Sequence, residues 1–161
     1  MIFPFQPNSF QNQVFNPVLD GVTYVATIEW NIFGQRWYLN LSDGNGNLIV
    51  YKAVVSSQDQ QSLAALTWDR GVVTATTTAP HGIPVGRQAI LLIQGNTPAA
   101  YNGIFLVTSQ SPTEFTYEIS TDPGALVQLG TSGGFVDLTA GLFQTSVFLY
   151  FASNSSFVVL P

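Results

Sequence analysis

The clearest signal in the chain is a period of two. After the tight-turn dipeptide Asp20-Gly21, the apolar residues Val22, Tyr24, Ala26, Ile28 and Trp30 alternate with Thr23, Thr27 and Glu29. Successive side chains of a strand point to opposite faces, so this pattern predicts a half-buried β-strand. A short linker carrying Gly34 leads to Trp37, Leu39 and Leu41, which alternate with Tyr38, Asn40 and Ser42 in a second strand. Asp43-Gly44-Asn45-Gly46-Asn47 reverses the chain, and Leu48 to Val55 reads as a third strand, which makes a meander. Residues 56–66 are polar, with Ser57 and Gln60 in a weak capping arrangement; one or two helical turns and a polar loop both fit.

From Thr67 the texture changes. Val72 to Thr78 is rich in threonine and β-prone, and residues 79–86 (Ala-Pro-His-Gly-Ile-Pro-Val-Gly) are turn chemistry. Strands are predicted at Ala89 to Gln94, Ile104 to Thr108 and Glu114 to Ile119, the last with Phe115, Tyr117 and Ile119 on one side. Gly130 to Gly134 reads as a flexible exit, after which Ser146 to Phe151 and Ser156 to Leu160 resume the β pattern. Val147 to Phe151 is apolar on both faces, as in a strand covered on both sides. Many short strands with Gly and Pro in the turns predict an all-β fold, a small antiparallel sandwich or barrel.

The opening residues, 1–17, form an arm. Phe3, Phe5, Phe10 and Phe15 lie among Pro4, Pro7 and Pro17 at spacings that suit neither helix nor strand throughout. Such an arm either packs back on its own domain or docks on a neighbouring subunit. Phe3, Phe5 and Phe10 are therefore candidate partner contacts, and loss of residues 1–12 is expected to spare the fold and weaken assembly. MIFPFQP has neither the basic start nor the continuous apolar stretch of a secretion signal. No apolar run approaches the roughly 18 residues that a membrane span requires.

Composition sharpens the picture. Charged residues make up 8% of the 161, where a typical domain carries about 25%, and the polar surface is supplied by Asn, Gln, Ser and Thr. Ionic side chains keep a free surface hydrated and patch-free, so much of this surface is expected to be covered by neighbours. The net charge is −5 and the four cations (Arg36, Lys52, Arg70, Arg87) do not cluster, which argues against a phosphate backbone as partner. With no cysteine there is no disulfide, thiolate nucleophile or Cys zinc site.

Candidate chemistry is sparse. His81, the single histidine, lies in a Pro-His-Gly turn with no evident partner for acid–base work. Asp43, Asn45 and Asn47 imitate the start of a calcium loop, but Leu48 and Val54 stand where that loop needs glycine and glutamate. Glu114 and Glu118 share a strand face about 13 Å apart by rise, beyond the range of about 5–9.5 Å that glycosidases use. No catalytic residue, metal ligand or cofactor site is assigned. Trp30, Trp37, Tyr38 and Trp68 could form a sugar-stacking platform, yet Trp30 and Trp37 occupy apolar positions where a core needs bulk. Trp68, at the junction Thr67-Trp68-Asp69-Arg70, is the candidate exposed aromatic.

Two passages resemble known families. Residues 18–50, with Leu19-Asp20-Gly21, Trp30, Trp37-Tyr38-Leu39 and Asp43-Gly44 in that order, resemble the opening of the baseplate plug family of contractile-tailed phages, and TSVFLYF (145–151) is similar to its closing strand. Residues 72–119, through Ala79-Pro80-His81-Gly82-Ile83 and Pro98-Ala99-Ala100-Tyr101-Asn102-Gly103, are similar to a small β-module of phage structural proteins, with Arg87 where that module often has Asp. The resemblance implies a plug-like domain built from both chain ends (1–66 and 137–161) with a second β-domain inserted at 67–136. It further implies a non-catalytic virion protein of the tail baseplate, present in several copies in a symmetric assembly and linking the hub and tail tube to surrounding proteins, with no nucleic acid or membrane partner. A carbohydrate-binding module of a tail-associated recognition protein is the alternative.

Overall fold

A computed structural model describes all residues, 1–161, and nearly half of them (49%) are strand against 2% helix. The elements are β1 (Ile2–Pro4), β2 (Gln13–Phe15), β3 (Val18–Leu19), β4 (Val22–Thr23), β5 (Val25–Asn31), β6 (Arg36–Ser42), β7 (Leu48–Ala53), β8 (Gln61–Asp69), β9 (Val72–Thr77), β10 (Gln88–Gln94), β11 (Gly103–Ser109), β12 (Glu114–Glu118), β13 (Thr131–Gly133), β14 (Val147–Phe151) and β15 (Ser156–Leu160). The helical residues form a single 3₁₀ turn, Ala99–Tyr101. The chain divides into two compact units: residues 1–57 with 136–161, and residues 58–135.

The first unit pairs a three-stranded sheet, β1-β15-β14, with a four-stranded one, β2-β5-β6-β7. Their inward residues make one core of Phe5, Leu19, Ala26, Ile28, Leu39, Leu41, Leu138, Phe148, Phe157 and Val159. The alternation seen in the sequence is the reason: Ala26 and Ile28 face inward from β5, and Leu39 and Leu41 from β6. In β14 both Phe148 and Leu149 are buried, as its unbroken apolar run predicted. Where the chain leaves and re-enters this unit, the Val136 amide donates to Ser57 Oγ at 3.0 Å.

The arm belongs to this unit. β1 pairs antiparallel with β15, placing Phe3 opposite Phe157. Phe5 is 4% exposed and meets Trp37, Tyr150 and Phe157 edge-on, with ring centroids 5.1, 5.8 and 5.4 Å away. Such T-shaped contacts add to the area that an aromatic buries. The expectation that residues 1–12 can be removed without harm to the fold is therefore corrected: the deletion would strip a sheet strand and a core aromatic.

The second unit is a closed antiparallel barrel in the order β10-β11-β12-β9-β8-β13. Its interior holds Leu63, Leu66, Val73, Ala75, Leu91, Ile93, Tyr101, Val107, Phe115 and Tyr117. Two of its strands differ from the sequence reading. Residues 56–66, expected as a helical turn or loop, contribute most of β8, and a register shift between Leu63 and Ala65 puts Leu63 and Leu66 on the inside. That bulge hides the period of two. Gly130 to Gly134, expected as a flexible exit, contains β13, which bridges β8 and β10 and closes the barrel. The glycines serve proximity here: a Cβ at Gly130 would overlap the Gln94 carbonyl, and at Gly133 it would crowd the Gln60 amide.

Truncation of the core aromatic in the arm tests this architecture. Phe5→Ala is expected to cost about 3–5 kcal/mol, the usual range for a buried Phe reduced to Ala. Chemical denaturation of the full chain measures it, and deletion of residues 1–5 is expected to be at least as destabilising.

Candidate interaction surfaces

The Leu19-Asp20-Gly21 turn does more than reverse the chain. Asp20 has φ +48° and Gly21 φ +79°, the left-handed conformations of a tight turn between β3 and β4. The turn aims the Asp20 carboxylate at a segment 124–126 residues further on. Oδ2 accepts the Gln144 amide at 2.6 Å, and Oδ1 accepts the amides of Thr145 (3.1 Å) and Ser146 (2.9 Å) and the Thr145 hydroxyl (2.9 Å). The Asp20 amide in turn donates to Ser146 Oγ at 2.8 Å. The amides of Gln144 and Ser146 hold this carboxyl far below the ordinary carboxylate range. Asp137 does the same work nearby, accepting the Thr139 amide and hydroxyl and the Phe148 amide.

The residues with chemical potential are likewise engaged. His81 Nδ1 accepts the Ile83 amide at 3.1 Å, which puts the ring proton on Nε2, 3.3 Å from the Glu114 carbonyl. The ring stands edge-on to Phe115, 5.7 Å between centroids. It lines a hollow of about 340 Å³ with Asp59, Gln58 and Ser132, but both nitrogens are already in use. The Asp43 carboxylate turns into its own loop, accepting the amides of Asn45 and Asn47 and the Asn47 side chain, and the Asn47 side chain does most to lower its pKa. Glu114 and Glu118 both lie on β12, four residues apart. In the Pro98 to Gly103 segment, Asn102 Oδ1 accepts the Asn96 amide, Asn96 Oδ1 accepts the Gly130 amide, and the hydroxyl of Tyr101 donates to the Gly124 carbonyl. That motif shapes the barrel wall. Tyr117, whose hydroxyl donates to the Tyr101 carbonyl, has its pKa pushed up by burial.

The four candidate contact residues separate. Phe5 is core. Phe3 is half-buried and stacks on Phe15 at 4.5 Å. Trp68 is half-buried against the barrel core and its indole N–H donates to the Ile119 carbonyl at 2.8 Å. Phe10 alone projects freely, 98% exposed.

Phe10 has a companion that the sequence reading missed. At the β5–β6 reversal, Phe33 is 101% exposed beside Ile32 at 75%. Both tips are braced by asparagine. Asn8 Oδ1 accepts the Phe10 amide at 3.0 Å, and Asn31 Oδ1 accepts the Gly34 amide at 2.7 Å. Because β2 pairs with β5 so that Gln13 lies opposite Ile28, the turn holding Phe10 and the Ile32–Phe33 tip sit at the same end of the sheet. Val55, half-exposed just past β7, lies at that end too, since Ala53 pairs with Tyr38 near the start of β6. The cation nearest in sequence to the Ile32–Phe33 tip is Arg36. An Asn followed by an apolar pair and Gly at a hairpin tip was the available signal.

Residues 1–70 match the family described as the cyanophage baseplate Pam3 plug, gp18. The match covers β1 to β8, and over that span the chain is similar to the baseplate plug family. The match supports a viral structural protein of the tail baseplate, and the family implies interaction with other baseplate proteins. No curated protein and no solved structure matches the chain. The matched residues contain the Asp20 turn, both exposed aromatic tips and the whole β5-β6-β7 meander of the plug domain.

Acid titration isolates the Asp20 contribution. Its folded pKa is depressed, so the stability it confers is complete above the unfolded carboxylate pKa of about 3.9 and is lost as the pH falls below that value. Asp20→Asn is expected to melt at a lower temperature than wild type at pH 7, and the gap should narrow between about pH 4 and pH 2. Melting temperature against pH for the two proteins checks this; Asp43 is present in both and cancels.

Proposed function

We propose that the chain is a non-catalytic scaffold of the baseplate, seated against the central hub and tail tube and tying them to surrounding baseplate proteins, in several symmetric copies. The observation that carries this reading is the apolar end of the plug domain. Phe10, Ile32 and Phe33 are presented on braced turns, so little conformational entropy remains to be lost when they enter a partner. Aromatic side chains, Phe among them, are enriched at protein interfaces, whose few dominant residues fill pockets near the centre. The shortage of charge over the whole chain supports the same reading, because the interior of a permanent interface is depleted of charged residues.

The absence of turnover is part of the proposal. It is supported by the engagement of His81, Asp20, Asp43 and Asp137 in backbone hydrogen bonds, which leaves none of them free as a base.

A second reading has its own support. On the outer face of the four-stranded sheet Tyr38 and Tyr51 stack at 5.1 Å and 14°, and the Glu29 carboxylate beside them raises the Tyr51 pKa. Flat aromatic faces beside polar side chains suit a saccharide. Titration of the free chain with host-surface glycans, followed by tyrosine fluorescence, distinguishes the two; the scaffold reading expects no change.

The scaffold reading makes a further demand. Phe10→Ser with Phe33→Ser is expected to leave the melting temperature of the free chain within a few degrees of wild type, since neither side chain touches the core. Incorporation into purified tails, measured by quantitative mass spectrometry, should fall at least tenfold, a loss of about 1.4 kcal/mol or more.

A further inference from the structure

Four residues carry a side-chain carbonyl group directly before a glycine: Asp20, Asp43, Asn45 and Asn102. Glycine has no Cβ to obstruct its own nitrogen, so in each pair that nitrogen can reach the preceding side-chain carbon and close a cyclic imide. The fold treats the four differently. The Gln144 amide holds the Asp20 carboxyl far below the ordinary range, and the Asn47 side chain lowers that of Asp43, so both are ionised at neutral pH. An ionised carboxylate resists attack by a nitrogen lone pair.

Asn102 is neutral but clamped. Its Oδ1 accepts the backbone amide of Asn96 at 2.9 Å and the Asn96 side-chain amide at 3.0 Å, and its Nδ2 donates to the Asn96 carbonyl at 2.9 Å. The glycine behind it, Gly103, lies in β11 opposite Ile93. Asn45 stands at the tip of the β6–β7 reversal, exposed together with Gly44, Gly46 and Asn47. Asp43 fastens the backbone there through the amides of Asn45 and Asn47, yet the Asn45 side chain bonds nothing. A single bond guards the attacking nitrogen, from the Gly46 amide to the Asp43 carbonyl at 3.1 Å, and a Cβ at Gly46 would meet no atom, so the space around the pair is open. Exposed backbone bonds at a loop tip open at far lower cost than those within a core sheet.

We propose that Asn45 is a site of spontaneous covalent modification: the Gly46 nitrogen attacks the Asn45 side-chain carbonyl carbon, and water opens the resulting imide to aspartate or isoaspartate. In the first step the Gly46 nitrogen gives its proton to solvent as the new N–Cγ bond forms, and the Cγ–Nδ2 bond breaks with release of ammonia. In the second, water adds across one of the two imide C–N bonds. Cleavage at Cγ restores the backbone and leaves aspartate; cleavage at the main-chain carbonyl carbon leaves isoaspartate, with the chain routed through the side chain. Nothing is oxidised or reduced. Either product adds a negative charge two residues from Asp43, and isoaspartate also lengthens the backbone of the turn. The turn lies at the opposite end of β6 from the Ile32–Phe33 tip, so the exposed aromatic end is left unchanged.

Ageing of the full chain with and without guanidinium tests the assignment. Protein held at pH 8 is sampled over time and digested, and aspartate and isoaspartate at positions 45 and 102 are quantified by mass spectrometry. Unfolded, the two Asn-Gly pairs are expected to react at similar rates, because each has the same successor. Folded, product at Asn45 is expected to accumulate at least tenfold faster than at Asn102, a difference of about 1.4 kcal/mol in barrier. Equal folded rates at the two positions overturn the proposal, as does an Asn45 that folding protects as strongly as Asn102. Aspartate formed without isoaspartate overturns the cyclic route, since direct hydrolysis of the side-chain amide yields aspartate alone.

Discussion

The plug domain depends on a carboxylate that bridges the two ends of the chain. Asp20 gathers three consecutive amides from residues 144–146, and the β3–β4 turn is shaped so that both its oxygens reach them. The Ser146 amide is part-buried, and without a partner it would forfeit its hydration for nothing. A carboxylate satisfies several at once, with the stronger bonds that an ionised acceptor makes. In the folded chain β14 and β15 share one core with β5 and β6, and β1 pairs with β15. The joint explains why this turn carries aspartate where many residues could reverse a chain.

How much of this was legible in the sequence follows from how regular each element is. β5, β6, β9 and β12 keep an unbroken period of two, and their boundaries lie close to the pattern. β8 does not, because its bulge shifts the inward residues from 63 and 65 to 63 and 66. β13 reads as a linker because Gly130 beside it stands where the Gln94 backbone approaches and Gly133 within it where the Gln60 side chain does, a reason invisible without the third dimension. β1 and β2 were obscured by prolines that tolerate short edge strands. The Asp20 joint was read only as a turn, since a contact across more than 120 residues leaves no local trace.

The candidate surface was legible in kind and less so in place. Scarcity of charge points to a chain that expects company, and of the arm residues Phe3, Phe5 and Phe10, named together as candidate contacts, Phe10 is the exposed one. Phe5 and Phe10 share an arm and a residue type, yet one is core and the other fully exposed, because Phe5 directly follows β1 while Phe10 lies further on, in the turn before β2. Trp68 seemed free because its neighbours Asp69 and Arg70 are polar, but its indole N–H finds the Ile119 carbonyl across the barrel seam. Phe33 escaped notice because alternation, which directs attention to strand faces, says nothing about the two residues at a hairpin's apex.

The meeting of Ser57 and Val136 has an evolutionary consequence. The plug domain emits the barrel and takes it back where the Val136 amide meets Ser57 Oγ. A guest whose termini emerge together can be exchanged for a different closed domain, or for a bare turn, with no host strand changing its neighbour. Such a locus lets a lineage vary one unit while the other is inherited whole.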